Sequence, residues 1–154
     1  MRNLKRLLIL LVIMTNIKCS NNEELTGTSR TNKELLSSKE WKFDKFIFIS
    51  SDYNPGNFST EKIEEYVNSL YLNKIVYKFN SDNSGYLLFN TENRIFTWQL
   101  NNNELKLDFE NNDYDTDYLL NSIDENTLNM TFDHSSTGII DGVETTFKGN
   151  YFYK

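Results

Sequence analysis

The sequence predicts a mainly β protein, an eight-stranded antiparallel up-and-down barrel with one helix between strands 1 and 2. Three observations lead there. Apolar and polar residues alternate in run after run, which is the pattern of a strand with one wet face. Short polar connections separate the runs, of the length that closes an antiparallel hairpin. The 154 residues include 11 Phe, 9 Tyr and 2 Trp, with no Ala and a single Pro, a composition that suits a pleated, half-buried surface better than a helical bundle. A meander with one wet face removes its edges best by closing on itself, and the length is that of one domain.

The N-terminus reads as an address. Arg2, Lys5 and Arg6 precede the apolar run Leu7 to Met14, a charged n-region followed by a signal-peptide h-region too short to span a bilayer. Residues 1–18 are therefore predicted to be a signal peptide. The only Cys, Cys19, follows the run, and this arrangement resembles the leader of a bacterial lipoprotein, whose cysteine becomes the acylated N-terminus. The acidic stretch "SNNEE" behind it resembles that of surface-exported lipoproteins of the Bacteroidetes, and 22 Asn without Ala fit an AT-rich genome of that kind. The resemblance implies an exported chain, attached by lipid to the outer membrane or cell surface. Loss of the leader removes four basic residues (Arg2, Lys5, Arg6, Lys18) from a chain whose formal charge is already -6, so headgroup attraction does not hold it to a membrane. Residues 19–32 have few apolar side chains and read as a flexible tether.

The domain then runs over 33–154. Trp41 to Ile49 is strand 1, with a bulge where the apolar phase shifts between Phe43 and Phe46. After the turn residues Asn54-Pro55-Gly56-Asn57 the period changes. Ile63, Tyr66, Val67, Leu70 and Tyr71 form the apolar stripe of a helix over Thr60–Leu72, with Glu61, Glu64 and Glu65 near its positive end. Strand 2 carries Ile75, Tyr77 and Phe79, and strand 3 is Tyr86 to Phe89, after the turn 81–85. Strand 4 alternates Phe96, Trp98 and Leu100; strand 5 alternates Leu105, Leu107 and Phe109. Tyr118 to Ile123, Leu128 to Phe132 and Val143 to Tyr153 complete the eight. Period two places Trp98, Leu105 and Leu107 inside and Lys106 outside.

"LLSSKEWKF", Leu35 to Phe43, resembles the L-x-G-x-W opening of lipocalin-like domains in Bacteroidetes lipoproteins. "IFTWQLNNNELKLDF" and "YLLNSIDENTLNMTF" are similar to their serial hairpins, and "FKGNYFY" to their closing strand. The resemblance implies a lipocalin-like barrel over about residues 33–154. An open sheet or flattened sandwich of the same strands is the alternative arrangement.

Chemistry is sparsely marked. One Cys excludes an internal disulfide and a cysteine zinc site, and one His excludes a His-rich metal site. The pI of 4.8 excludes a basic field for nucleic acid. His134 in "DHSSTG" has Asp133, Ser135 and Ser136 beside it but no G-x-S-x-G elbow, and reads as a polar loop between the last two strands. Asp113, Asp115 and Asp117, with Asp124 twelfth from the first, resemble the frame of a calcium-binding EF-hand loop. Tyr118 occupies the sixth position, where the sharp turn needs Gly, so a solvated acidic loop is the expected reading. No catalytic residues, resident metal or cofactor are expected, and the chain is not expected to be an enzyme. The inward face offers bulky rings instead. Trp41, Phe43, Tyr77, Phe96, Trp98 and Tyr151 are the candidate lining of a lumen for a small hydrophobic ligand, with Phe79, Phe109, Phe132, Phe147 and Tyr153 also inward. Tyr66 and Leu70 are the candidate lid, the helix lying across one end of the barrel. The alternative is a filled barrel that acts as a protein-protein interaction module, an inhibitor or an immunity-like factor. Lumen volume separates the two.

Overall fold

The computed structural model describes residues 29–110 and 116–154. The leader, Cys19, most of the tether, Asp113 and Asp115 lie outside the described residues. In chain order the elements are α1 (Asn32–Ser37), β1 (Glu40–Ser50), α2 (Thr60–Tyr71), β2 (Ile75–Phe79), β3 (Ser84–Phe89), β4 (Glu92–Asn101), β5 (Glu104–Phe109), β6 (Thr116–Ile123), β7 (Leu128–Phe132), β8 (Ser136–Ile140) and β9 (Val143–Tyr153). All strand pairs are antiparallel, each strand from β1 to β7 pairs with the next, and β9 pairs with both β7 and β1. The sheet thus closes into an eight-stranded barrel with β8 as an extra strand and α2 between β1 and β2. The open sheet is excluded by the six register pairs from Phe43↔Tyr153 to Ser50↔Lys148 that join first strand to last.

Alternation sets the register. Phe96 and Trp98 are buried, with Leu105 and Leu107 opposite them on β5, while Lys106 is exposed. The bulge expected in β1 falls between Phe43 and Lys45, which lets both Phe43 and Phe46 face inward. The turns explain much of the Asn content. Asn73, Asn83, Asn90 and Asn102 take positive φ at the ends of elements, a conformation that Asn reaches at lower cost than most residues.

Two elements were not expected. The sequence predicts a polar loop over 133–138, but the chain re-enters a strand at Ser136, forming the hairpin β8–β9 through Asp141-Gly142, both at positive φ. β9 is long enough for two partners: Asn150 to Tyr153 pair with β7, and Val143 to Phe147 pair with β8. Helix α1 begins at Asn32, the last residue of the span read as tether. Thr31 caps it, accepting from the Glu34 N–H while Glu34 accepts from the Thr31 N–H at 2.7 Å, the reciprocal arrangement that satisfies two orphan donors.

The two helices take different places: α1 covers one end of the barrel and α2 lies in its wall. α1 lies over the end formed by the start of β1 and the ends of β2, β4 and β6. Leu36 is fully buried there, its carbonyl accepts from Trp41 Nε1 at 2.9 Å, and Lys33 Nζ stands 5.5 Å from the Trp98 ring centroid. α2, expected across an end of the barrel, docks instead on β1 in the gap that opens in the wall, because the β1 backbone N–H groups left there without a strand partner bond to its side chains. β1 pairs with β2 only from Glu40 to Lys42 and then diverges, and α2 lies against β1 beyond that point. Asn68 Oδ1 accepts from the Phe46 N–H at 2.8 Å and Glu64 Oε1 from the Phe48 N–H at 2.9 Å. Side chains of the helix thus stand where a neighbouring strand's carbonyls would be. Ile63 and Val67 are buried, and the Tyr66 ring covers Gly138, where a Cβ would meet it at 2.6 Å. The Tyr66 hydroxyl accepts from the Ile139 N–H at 3.1 Å, which ties β8 to the helix.

Candidate functional site

The barrel is filled in the half next to α1. Trp41, Phe79, Phe96, Trp98, Leu105 and Leu128 are all at most 1% exposed. Both indole N–H groups are satisfied, Trp41 by Leu36 and Trp98 by the carbonyls of Asn80 and Ser84 at 3.2 and 3.0 Å. A buried indole donor needs such a partner, so these rings are fixed core.

The opposite half is hollow. A cavity of about 540 Å³ opens at the end marked by the start of β2, the end of β3, the start of β4, the end of β5 and the start of β6. Ile75, Phe89, Arg94, Phe109, Tyr118 and Phe132 mark its circumference, and Tyr71 brings the C-terminus of α2 to its edge. Tyr77, Tyr151 and Tyr153 line it farther in. The rings meet edge to face or tilted, as in Phe43–Tyr71 at 5.8 Å, Tyr77–Tyr153 at 5.5 Å and Phe132–Tyr151 at 4.9 Å between centroids, the offset arrangements that aromatic quadrupoles favour.

Of the six expected lining residues, Tyr77 and Tyr151 line this cavity. Trp41, Phe96 and Trp98 belong to the filled half, because α1 covers that end. Phe43 is buried between Tyr71 and Tyr153 and stands behind the lining. Of the two expected lid residues, Tyr66 docks on Gly138 and Phe147 (6.3 Å), and Leu70 is half-buried; neither borders the cavity, and Tyr71 does. Arg94, Phe89 and Leu87 were missed, although period two carried back from Phe96 through Arg94 puts Arg94 on the inward face. Asp117 lies on β6 and faces Lys106 at 3.7 Å on the outside. The serines beside His134 have other partners: the Ser135 hydroxyl donates to Asp52 at 2.6 Å and Ser136 pairs with the Tyr151 hydroxyl at 3.3 Å, while the His134 ring rests on Phe132. Among the described residues no three His, Cys, Asp or Glu side chains gather as a metal site, and no helix is long and apolar enough to cross a membrane.

The phenols set the electrostatics. The Tyr77 and Tyr118 hydroxyls are 2.7 Å apart, both buried. Burial pushes the Tyr77 hydroxyl from its ordinary 10.0 up to about 12, against the smaller opposing influences of the Tyr118 bond and of Arg94. Burial also holds Tyr118 and Tyr153 well above the ordinary value, and raises Tyr151 and Tyr71. At neutral pH these groups are protonated and offer hydrogen-bond donors. One hydrogen of the Tyr77–Tyr118 pair is used between them, which leaves one for anything bound beside them. The site can therefore enclose an apolar body and donate to its acceptors. In comparisons with known proteins, the chain matches no family model, no curated protein and no solved structure at a significant level.

Proposed function

We propose that this chain is a lipocalin-like binding protein that takes a small, largely apolar molecule into the open end of its barrel and is anchored by a lipid on Cys19 at the outer membrane or cell surface. The cavity carries the reading. Its volume of about 540 Å³ falls within the range of about 300–1,000 Å³ typical of ligand pockets, and a ring-lined wall with a few polar groups is the usual chemistry of such sites. A filled lumen would favour the interaction-module alternative, and only the α1 half is filled. The charged n-region, the short apolar run and the single cysteine behind it support the anchored location.

Native mass spectrometry of the full chain purified from its host tests both parts. The expected spectrum carries an acyl mass on Cys19 and a non-covalent small-molecule adduct. An unacylated chain in the soluble fraction would refute the anchor, and Cys19→Ala retained in membranes would do the same. A chain that takes up no small apolar probe, even after delipidation, would refute the binding role.

A further inference from the structure

Arg94 is the one basic side chain among the described residues that line the cavity. Its position follows from the ladder. Phe96 pairs with Gly85 and Arg94 with Leu87, so Arg94 shares the inward parity of Phe96 and Trp98 but sits at the mouth. Two residues before it on the same face, Glu92 accepts from Arg94 Nη2 at 2.8 Å. Both side chains are about half exposed, at 48% and 66%, so the pair is an exposed one, easily exchanged. Glu110, whose N–H donates to the Ile95 carbonyl at 3.2 Å, puts a second acidic residue on the rim beside Arg94. The guanidinium has five donors, and this contact uses few of them. The spare hydrogen of the Tyr77–Tyr118 pair, the Tyr153 hydroxyl farther in and the Tyr71 hydroxyl at the edge are donors too.

The inner polar groups are phenols, which can donate, and Arg94 is the cation at the entrance, so once Glu92 is displaced the site can receive a negatively charged acceptor. We propose that the ligand is an organic acid: a compact, ring-bearing apolar body held among Phe89, Phe109 and Phe132, with one carboxylate seated between Arg94 and the Tyr77–Tyr118 pair. This rests on the cavity being a binding site. Glu92 then serves as the carboxylate that the ligand displaces. An arginine fork suits a planar carboxylate bidentately, and the aromatic wall suits a flat ring.

The test compares 2-naphthoate with 2-naphthamide, which share rings and shape and differ in charge, by titration calorimetry on the full chain. Naphthoate is expected to bind about tenfold more tightly, the difference made by one charge-assisted contact. In Arg94→Gln the two should bind within about twofold of each other, and in Glu92→Gln, which frees Arg94, the preference for naphthoate should widen. Equal binding of the two by the wild type overturns the proposal while leaving the cavity as a binding site. So does a preference that persists in Arg94→Gln, or one that fails to widen in Glu92→Gln. Binding of neither probe overturns the reading of the cavity itself, and the proposal with it.

Discussion

Trp98 concentrates the logic of the filled half in one side chain. It is 1% exposed, packs its ring edge to face on Phe79 at 5.5 Å, and gives its N–H to two carbonyls. Trp98→Ala should therefore cost about 3–5 kcal/mol as a large-to-small core change, read from urea denaturation midpoints. The tyrosines act at a different pH. A phenol whose folded value is raised stays protonated in the native state after the unfolded chain has begun to ionise. Stability is then full below the unfolded value near 10.0 and falls as pH rises from there toward about 12 for Tyr77. Tyrosinate absorbance of the native protein at intermediate alkaline pH should accordingly fall short of that of the denatured chain, and Tyr77→Phe should flatten part of the stability loss. That Trp98 points inward was legible from period two alone. That its half of the barrel is solid was not, because the residue that fills the end, Leu36, belongs to an element outside the alternating pattern.

At the scale of elements, the two unexpected segments each carried a local signal. Thr31 and Glu34 have the spacing of a capping box directly before Leu35 and Leu36, and Asp141-Gly142 is a strong short hairpin signal between Ile139-Ile140 and Val143. They were overridden by composition: polar residues surround Thr31, and "DHSSTG" hides the start of β8, whose inward positions include Gly138, a residue without a side chain. Leu36→Ala should destabilise by about 2–5 kcal/mol, with increased quenching of tryptophan fluorescence by acrylamide as Trp41 and Trp98 become accessible. The place of α2 between β1 and β2 followed from its apolar stripe, but its polar docking did not. Asn68 and Glu64 lie beside that stripe, and only the divergence of β1 from β2 gives them backbone N–H groups to accept from. Removing the acceptor in Asn68→Ala leaves the Phe46 N–H without its partner, at about 1–3 kcal/mol if it stays dry. Hydrogen exchange measured by NMR should show that amide losing protection before those of β4 and β5.

For the whole molecule, closure, strand order and the place of α2 in the chain between β1 and β2 agree with the hydrophobic pattern, because serial hairpins with one apolar face leave a barrel as the arrangement without exposed edges. The hollow half was not legible: cavity volume depends on how far rings from different strands reach, which spacing along a chain does not encode. The wall is also uneven around its circumference. Among the described residues, neighbouring barrel strands are joined by four to six register pairs everywhere except between β1 and β2, where there are three, Glu40↔Lys78, Trp41↔Tyr77 and Lys42↔Val76. Amides of that ladder should exchange at the lowest opening free energy of the barrel, and a bound ligand that touches Tyr71 and Tyr77 should slow them. Mechanically, the cylinder is a split ring, and α2 is the clasp across the slit. The width of the wall at that place is therefore set by a helix docked through the Asn68 and Glu64 side chains and not by a full strand ladder.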